Sequence, residues 1–256
     1  LVVISGQVKY ETTVRNTGLK KLRQMGDQEL DIEKLVNPIT KYIVMVTDPS
    51  SIRYHLEKAF YLATSGRPGP CWLDIPLDVQ GADIDPESLE KFEPPVVKKN
   101  DFTDSCKVIL DKISKAQRPV VFAGGGVRLS GAYSEFINVI EKLGVPVVTG
   151  WNAHDLVWDS HPLYVGRPGT VGNRAGNFTV QNSDLLLILG SRLNIRQISY
   201  NWKSFARKAY KIWIDIDEIE MQKPTVKADL KICANLSDFL PQLNKISYNG
   251  PTSEHI

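Results

Sequence analysis

Two glycine-rich stretches could present backbone amides to an anionic ligand. One is a run of three glycines after the apolar segment PVVFA, and the other reads GRPGTVG. Glycine allows positive φ and close approach of the backbone, so each stretch could hold a phosphate or form an ordinary tight turn. The first is not a GxGxxG pattern and no acidic residue stands at the usual ribose position, which disfavours an NAD-linked dehydrogenase. The candidate ligand-binding glycines are Gly124, Gly125, Gly126, Gly166, Gly169 and Gly172.

Arginines and acids follow two later apolar runs. Arg192 and Arg196 lie four residues apart after the run 185–189, so on one helical turn both guanidinium groups could reach one phosphate. Salt bridges to neighbouring acids are the commoner use of such arginines. Asp215 and Asp217 alternate along an extended segment, which places their carboxylates on opposite faces. One could accept a hydrogen bond from a ribose hydroxyl or an adenine amine, while the other caps the next turn.

Strands and helices alternate along most of the chain, which predicts an α/β fold with a doubly wound parallel sheet. The predicted strands are 1–4, 71–75, 120–123, 145–149, 163–165, 185–189, 211–216 and 231–233. The predicted helices are 50–63, 103–115, 131–143, 174–181, 200–206 and 236–243. Ligands of such sheets bind at the carboxyl ends of strands. That rule selects four segments: 124–126, 149–152, 190–192 and 215–217.

A change of composition divides the chain. Residues 81–100 are rich in Asp, Glu, Pro and Lys and have no steady apolar period, which is typical of a linker. We therefore predict a first domain over 1–83, a linker over 84–100, a second domain over 101–245 and a tail over 246–256. The chain opens on a strand and without methionine, which indicates a piece of a longer protein.

Composition disfavours several classes of function. The net charge is +2, from 31 basic and 29 acidic residues mixed along the chain, so no nucleic acid or membrane partner is predicted. No apolar run reaches the roughly 18–20 residues that span a bilayer. Three scattered cysteines suggest buried thiols in a reducing cytoplasm. His154 and His161 flank two aspartates, but no third ligand is positioned, and we predict no metal site.

A more specific pattern lies at 65–80, SGRPGPCWLDIPLDVQ. It resembles the end of the pyrimidine-binding domain in thiamine-diphosphate enzymes of the acetolactate synthase family. The likeness continues in register over nearly all of the chain. The matching segments are LVVISGQV at 1–8, QE at 28–29, AFYLATSGRPGP at 59–70, RPVVFAGGG at 118–126, GRPGTVG at 166–172, VQNSDLLLILGSR at 180–192 and IWIDID at 212–217.

The resemblance implies roles for particular residues. Flavin-containing members hold FAD in their central domain, and related decarboxylases hold ADP there or leave the place empty. Carried over to this sequence, the nucleotide contacts would be the six glycines above together with Ser191, Arg192, Arg196, Asp215, Ile216 and Glu220. Gln28 matches a glutamine beside the thiazolium ring of thiamine diphosphate, and Gln7 lies where the chain enters that region. Both are candidate catalytic residues.

Departures from the family pattern bear on the reaction. Asp27 stands where the family usually has phenylalanine, and Leu77 stands where it has a substrate-channel lysine. These changes favour relatives acting on sugars or other 2-oxo acids, for example in surface-polysaccharide pathways, over condensation of pyruvate to acetolactate. The family's catalytic glutamate lies upstream of the matched segments. Its GDG motif, which holds diphosphate and Mg²⁺, belongs to a third domain and does not occur in this sequence.

The resemblance thus implies part of a cytoplasmic thiamine-diphosphate enzyme, a transferase or lyase acting on a small 2-oxo acid. The complete enzyme is expected to be a homodimer or homotetramer, and this chain alone is expected to be inactive. The alternative is a non-catalytic assembly module that binds FAD or ADP.

Overall fold

The computed structural model describes residues 1–250. The chain forms two compact units, the N-terminal unit Leu1–Val97 and the C-terminal unit Lys98–Ile256. Of the predicted tail 246–256, residues 251–256 lie outside the described residues. No helix in the described part of the chain is both long and apolar enough to cross a membrane.

The N-terminal unit contains a three-stranded parallel sheet in the order β1-β3-β2. Its strands are β1 (Val2–Gln7), β2 (Tyr42–Met45) and β3 (Cys71–Pro76). Its helices are α1 (Val14–Thr17), α2 (Ile32–Val36), α3 (Ile52–Thr64) and α4 (Leu77–Gln80). Helix α3 packs on β3 through Ala59, Ala63, Cys71 and Leu73.

The first turn of the helix predicted at 50–63 is a 3-10 turn, Pro49–Ser51, which leads into α3. Asp48 caps this turn by accepting a hydrogen bond from the backbone N–H of Ser50 at 2.9 Å. An aspartate cap followed by proline is a strong helix-start signal, and the prediction is confirmed.

Residues 84–97 contain neither helix nor strand, yet they are anchored to α3. The ring of Phe92 packs against Tyr54 and Tyr61, with centroid distances of 5.6 and 5.5 Å. The backbone N–H of Phe92 also donates to the carboxylate of Glu57 at 2.8 Å. The segment therefore belongs to the N-terminal unit.

The C-terminal unit contains a six-stranded parallel sheet in the order β6-β5-β4-β7-β8-β9. Its strands are β4 (Pro119–Ala123), β5 (Val147–Thr149), β6 (Tyr164–Gly166), β7 (Leu185–Leu189), β8 (Tyr210–Asp215) and β9 (Leu230–Cys233). Its helices are α5 (Thr103–Lys115), α6 (Gly126–Leu129), α7 (Tyr133–Leu143), α8 (Arg174–Asn182), α9 (Ile195–Ile198) and α10 (Leu236–Lys245).

Both faces of this sheet are buried. Alternate residues of β4 and β7 enter two separate apolar clusters, with Val121 and Leu187 in one and Phe122 and Ile188 in the other. Strands covered on both faces are characteristic of doubly wound sheets, so the predicted fold class is confirmed. The direction of winding changes between β4 and β7, which makes their carboxyl ends the switch point where such folds bind ligands.

One helix prediction is confirmed and another is wrong. The helix expected at 131–143 is α7, Tyr133–Leu143, and Gly131, with a φ of +73°, separates it from the short α6. The helix expected at 200–206 is absent; the chain instead forms α9 and a 3-10 turn, Trp202–Ser204. Ser199 and Ala206 have φ values of 67° and 43°, which are incompatible with a right-handed helix.

Two expectations about burial also fail: that the apolar run at 1–4 is a buried strand, and that all three cysteines are buried. Strand β1 is at a sheet edge and only partly buried, with Ile4 57% exposed. Cys71 and Cys106 are buried as expected, but Cys233 is exposed on the edge strand β9. Both errors have the same cause, since a sequence does not show which strands lie at the edge of a sheet.

Candidate functional site

Hydrogen bonds join three strand ends at the switch point. The N–H of Gly124 donates to the carbonyl of Leu189, and the N–H of Gly126 donates to the carbonyl of Gly190, both at 2.9 Å. The N–H of Gly190 donates in turn to the carbonyl of Ile214 at 2.9 Å. The turns after β4, β7 and β8 thus form one continuous rim, as the sequence predicts.

The three consecutive glycines have different roles. A Cβ at Gly124 would lie 2.3 Å from the carbonyl oxygen of Gly190 and 2.5 Å from the Cα of Ser191. A Cβ at Gly126 would lie 2.7 Å from the Cα of Gly190. At Gly125 the nearest atom, the carbonyl oxygen of Asn152, is 3.7 Å away. Contact between two turns therefore requires glycine at 124 and 126, and only 125 of the three has room for a side chain.

The second glycine-rich loop, Gly166 to Gly172, folds back on the start of α8. The N–H of Gly169 donates to the side-chain carbonyl of Asn177 at 2.9 Å, and the N–H of Thr170 donates to the carbonyl of Arg196 at 2.8 Å. These two amides are bonded within the protein rather than directed at an open cradle. Gly169 has a φ of +122°, and a Cβ there would lie 2.7 Å from the carbonyl oxygen of Arg196.

A pocket of about 210 Å³ lies between this loop, α8 and the segment that follows β7. Its apolar wall includes Val180, Ile198 and Phe205, and its polar groups include the side chains of Asn177, Gln181 and Gln197. Gln197 links the pocket to the strand ends, because its side-chain carbonyl accepts a hydrogen bond from the Ser191 hydroxyl at 3.2 Å. A pocket of this kind suits a flat ligand with hydrogen-bonding edges.

Backbone strain is concentrated beside the pocket. Leu193, Ser199 and Ala206 have φ values of 46°, 67° and 43°, although none is glycine. Each such residue costs on the order of 1–3 kcal/mol, and strained residues cluster at ligand sites. The segment 193–206 is therefore a candidate ligand-binding segment.

Arg192 and Arg196 do not share a helical turn, contrary to the prediction. Leu193 adopts the left-handed conformation, and Asn194 caps α9 by accepting a hydrogen bond from the N–H of Gln197. Arg192 thus precedes the helix, and Arg196 lies within it with its side chain exposed. Ser191, which precedes them in the chain, is buried, and its backbone carbonyl accepts a hydrogen bond from the indole N–H of Trp213 at 2.9 Å.

Glu220 is buried between two cations. Its carboxylate accepts from Arg192 Nε at 2.8 Å and pairs with Lys223 Nζ at 2.6 Å. Lys223 Nζ also donates to the backbone carbonyl of Arg192. The arginine is fixed at both its main chain and its side chain, yet its side chain is 59% exposed and can still meet an anion. Glu220 therefore orients Arg192 rather than facing solvent itself.

The carboxylate of Glu220 should make the free energy of unfolding depend on pH. Burial alone would raise the pKa of this carboxyl, but hydrogen bonds from Lys223 and Arg192 outweigh it and hold the pKa below its ordinary value of 4.5. A lowered pKa in the folded state gives stability that is present above pH 4.5 and is lost as the pH falls through the folded-state pKa.

We expect Glu220→Gln to be less stable than the parent at pH 7, with the difference shrinking on acidification. Urea denaturation at several pH values tests this, with exposed Glu218→Gln as control; a constant difference contradicts it.

The two aspartates at the end of β8 have different contacts, and one of them caps the next turn as predicted. Asp215 is buried and accepts from the N–H of Asp217 at 3.0 Å. Asp217 caps the following 3-10 turn by accepting from the N–H groups of Ile219 and Glu220, at 3.0 and 3.3 Å. Ile216 between them is half-buried, and its carbonyl oxygen lies 3.6 Å from the Cys233 sulfur.

The candidate residues of the N-terminal unit have unequal surroundings. Gln7 uses its side-chain amide inside the protein, donating to the carbonyl of Leu30 at 2.7 Å and to the carboxylate of Asp74 at 3.0 Å. Gln28 has an exposed side chain and a φ of +67°. A left-handed glutamine at a loop tip is consistent with a functional position.

The strain at Gln28 predicts a stabilising substitution. Glycine adopts this φ without the Cβ clash, so Gln28→Gly should raise the free energy of unfolding by about 0.5–1 kcal/mol. The neighbour Asp27 is also exposed but its φ is not positive, so Asp27→Gly should destabilise instead. Urea denaturation of the two variants checks the contrast. Destabilisation of both by the same amount would show that the φ of Gln28 carries no strain.

No group of three or more His, Cys, Asp or Glu side chains within residues 1–250 is arranged to hold a metal ion. His154 lies 3.1 Å from the carbonyl of Trp151, and His161 is buried and accepts from the N–H of Leu163 at 3.2 Å. Both histidines therefore have local structural contacts.

Sequence reasoning missed three residues of this site: Asn177, Gln197 and Lys223. Gln197 follows the predicted Arg196 directly, and Asn177 lies on the predicted helix 174–181, so each was close to a recognised feature. Lys223 stands three residues after Glu220, and this spacing is the signal that could have indicated their ion pair.

Comparison with known proteins agrees with this geometry. The family described as the central domain of thiamine pyrophosphate enzymes matches residues 106–243. A probable acetolactate synthase large subunit of Methanocaldococcus jannaschii is 35% identical over 226 residues, which cover 84% of this chain and 37% of the relative. The acetolactate synthase large subunit of Corynebacterium glutamicum is 36% identical over 225 residues, covering 87% and 34%. That of Lactococcus lactis subsp. lactis is 32% identical over 251 residues, covering 96% and 42%.

The chain spans 34–42% of the length of these three relatives. The match to the family's central domain falls within the C-terminal unit, whose six-stranded sheet carries the switch point and the pocket. The similarity to the large subunits extends over most of the chain. The chain therefore belongs to the thiamine pyrophosphate enzymes, with their central domain in its C-terminal unit, and is of the acetolactate synthase type.

Proposed function

We propose that this chain is part of a thiamine-diphosphate-dependent enzyme that decarboxylates a 2-oxo acid and transfers the remaining group to an acceptor. The observation that carries the proposal is similarity to acetolactate synthase large subunits over 84–96% of the chain. Bound thiamine diphosphate supplies the carbanion chemistry in such enzymes. Gln28, exposed and fixed at its loop tip, is proposed to line the active site.

The described residues do not themselves fit thiamine diphosphate and Mg²⁺. They contain no cluster of three potential metal ligands, and the sequence contains no GDG motif. We propose that the groups that bind diphosphate and metal come from a part of the protein outside this chain. On this proposal the chain alone is inactive.

The C-terminal unit is proposed to bind FAD or ADP in the pocket beside the switch point. The apolar wall at Val180, Ile198 and Phe205 suits a flat ring, and the side-chain amide of Gln197 suits its polar edge. Arg192, oriented by Glu220 and still exposed, suits a phosphate, and Arg196 is close along the chain. Five of the six glycines, all but Gly125, support this site by allowing close packing of the turns.

The substrate is proposed to be a 2-oxo acid or a sugar derivative other than the pair of pyruvates that forms acetolactate. Leu77, which stands in place of the family's channel lysine, is 57% exposed and uncharged, so it offers no cation to a substrate carboxylate. A homodimer or homotetramer in the cytoplasm is part of the proposal and rests on the family resemblance.

An assay of CO₂ release by the complete protein tests the proposal. With thiamine diphosphate and Mg²⁺ present, we expect decarboxylation of at least one member of a panel of 2-oxo acids. Gln28→Ala should lower kcat/KM at least about tenfold, which corresponds to about 1.4 kcal/mol of transition-state stabilisation. Gln117→Ala, at an exposed position of the other unit, is the control.

A complete protein that releases no CO₂ from any of these acids would contradict the enzymatic proposal. Nucleotide binding without decarboxylation would favour the second candidate, a non-catalytic module that binds FAD or ADP. The pocket supports both candidates, because all of its lining residues belong to the C-terminal unit and nucleotide binding there does not depend on the catalytic residues proposed in the N-terminal unit.

A further inference from the structure

We propose that Gln7 and Asp74 are positioning residues, which fix the loop that carries Gln28 through a hydrogen-bonded link from the sheet to Leu30. The inference rests on the proposed role of Gln28. It goes further by assigning a role to a buried carboxylate, and by making Gln7 a link within the protein instead of a residue that touches substrate.

Asp74 is the fixed end of this link. It lies in the central strand β3, is 1% exposed, and both of its carboxylate oxygens are hydrogen-bonded. One oxygen accepts from the Ser5 hydroxyl at 2.7 Å, and that hydroxyl in turn accepts from the indole N–H of Trp72 at 2.8 Å. The other oxygen accepts from the side-chain amide of Gln7 at 3.0 Å.

Gln7 connects Asp74 to the loop. Its Nε2 donates to the carbonyl of Leu30 at 2.7 Å as well as to Asp74, and these two bonds use both amide hydrogens. Its side-chain oxygen accepts from the N–H of Val8 at 3.0 Å. No amide hydrogen of Gln7 is left for a substrate, so its effect must pass through Leu30.

The other flank of Gln28 is anchored by Glu29. One oxygen of the Glu29 carboxylate accepts from the N–H of Val14 at 2.6 Å, and the other accepts from the N–H groups of Met25 and Gly26 at 3.0 and 3.1 Å. Gln28 therefore lies between two fixed points in a left-handed conformation. Such a conformation persists only where the surroundings hold it, and here the two anchors do so.

The choice of a carboxylate at position 74 supports a positioning role. Burial raises the pKa of Asp74, and the hydrogen bonds from Ser5 and Gln7 offset this only in part. A buried carboxylate usually stabilises a protein less than an apolar residue of similar size does. We therefore infer that Asp74 serves to fix the positions of its hydrogen-bond partners.

Hydrogen–deuterium exchange of this chain tests the link directly. The amides to follow are Glu29 N–H, which donates to Gly26, and Ile32 N–H, which donates to Leu30. We expect Gln7→Leu to speed their exchange at least fivefold more than Ser5→Ala, which removes the other hydrogen bond to Asp74. If Gln7→Leu fails to fold, Gln7→Glu keeps the size of the side chain and removes the donor.

A smaller difference between the two variants overturns the proposal, because it would show that the loop is held without Gln7 or that both variants merely loosen the sheet. In the complete protein, Gln7→Leu should lower kcat at least fivefold with KM within twofold of the parent. An unchanged kcat would also overturn the positioning role.

If the complete protein lacks decarboxylase activity, the proposed function fails, while the exchange result still decides whether Gln7 fixes the loop.

Discussion

Gly124→Ala is expected to lower the free energy of unfolding of the C-terminal unit by about 3 kcal/mol, the upper end of the usual cost of overpacking. The added Cβ would lie 2.3 Å from one backbone atom and 2.5 Å from another, both in the turn after β7. Backbone cannot rotate away as a side-chain tip can, so the turns after β4 and β7 would have to separate. The hydrogen bond from Gly124 N–H to Leu189 would weaken with them.

Gly125→Ala is the matched control. Residue 125 has a φ of −60°, and its nearest neighbour to an added Cβ is at 3.7 Å, so alanine fits without strain. It should be neutral or stabilise by about 0.4–1 kcal/mol, because alanine restricts the unfolded chain. Urea denaturation followed by tryptophan fluorescence, to which buried Trp213 contributes, measures both variants. Equal effects at 124 and 125 would contradict the assignment of Gly124 to contact between the two turns.

Arg192→Gln is expected to weaken binding of FAD or ADP by about 10- to 100-fold, the loss of one charge-assisted contact to phosphate, or about 1.5–3 kcal/mol. Glu220 and Lys223 fix the arginine in place, so its guanidinium is oriented before a ligand arrives. Stability should change less than affinity, since Lys223 still pairs with Glu220 in the variant.

Isothermal titration with ADP and with FAD measures this effect, and Arg207→Gln is the control. Neither arginine lines the pocket, but Arg192 is oriented by Glu220 directly after β7, whereas Arg207 is exposed and lies 18 residues after that strand. Unchanged affinity in Arg192→Gln, or an equal loss in both variants, would show that phosphate is not held at the end of β7.

Local patterns sufficed for the elements of the C-terminal unit. The strand at 185–189 and the helix at 103–115 have the bounds that the sequence predicts. A continuous apolar run and a clear helical period fix these elements whatever surrounds them. Because parallel strands gather their carboxyl ends, these bounds predict that Gly124, Gly190 and Asp215 lie on one rim.

Some contacts of the site depend on distant residues that the sequence does not bring together. Nothing local marks Gly124 as a packing glycine, because the atom that excludes a side chain belongs to Gly190, 66 positions later in the chain. The pairing of Glu220 with Arg192 and the bonds of Gln7 to Leu30 and Asp74 are likewise seen only in the structure.

The helix predicted at 200–206 shows the same limit. Its residues are compatible with a helix, yet the chain bends there so that Phe205 and Ile198 can line the pocket. This bend requires strained, positive φ values at Ser199 and Ala206. Sequence reasoning tends to fail at strained sites for this reason, and here the failure falls on the candidate ligand-binding segment.

Scanning calorimetry of this chain with FAD, ADP, NAD and thiamine diphosphate plus Mg²⁺ tests the central claim most directly. A ligand present at 100 times its Kd adds about 2.7 kcal/mol of stability, which in a domain of this size raises Tm by about 5–10 °C. We expect such a rise with FAD or ADP, confined to the transition of the C-terminal unit, and none with NAD or thiamine diphosphate. A rise with thiamine diphosphate and Mg²⁺, or none with either FAD or ADP, would contradict the account.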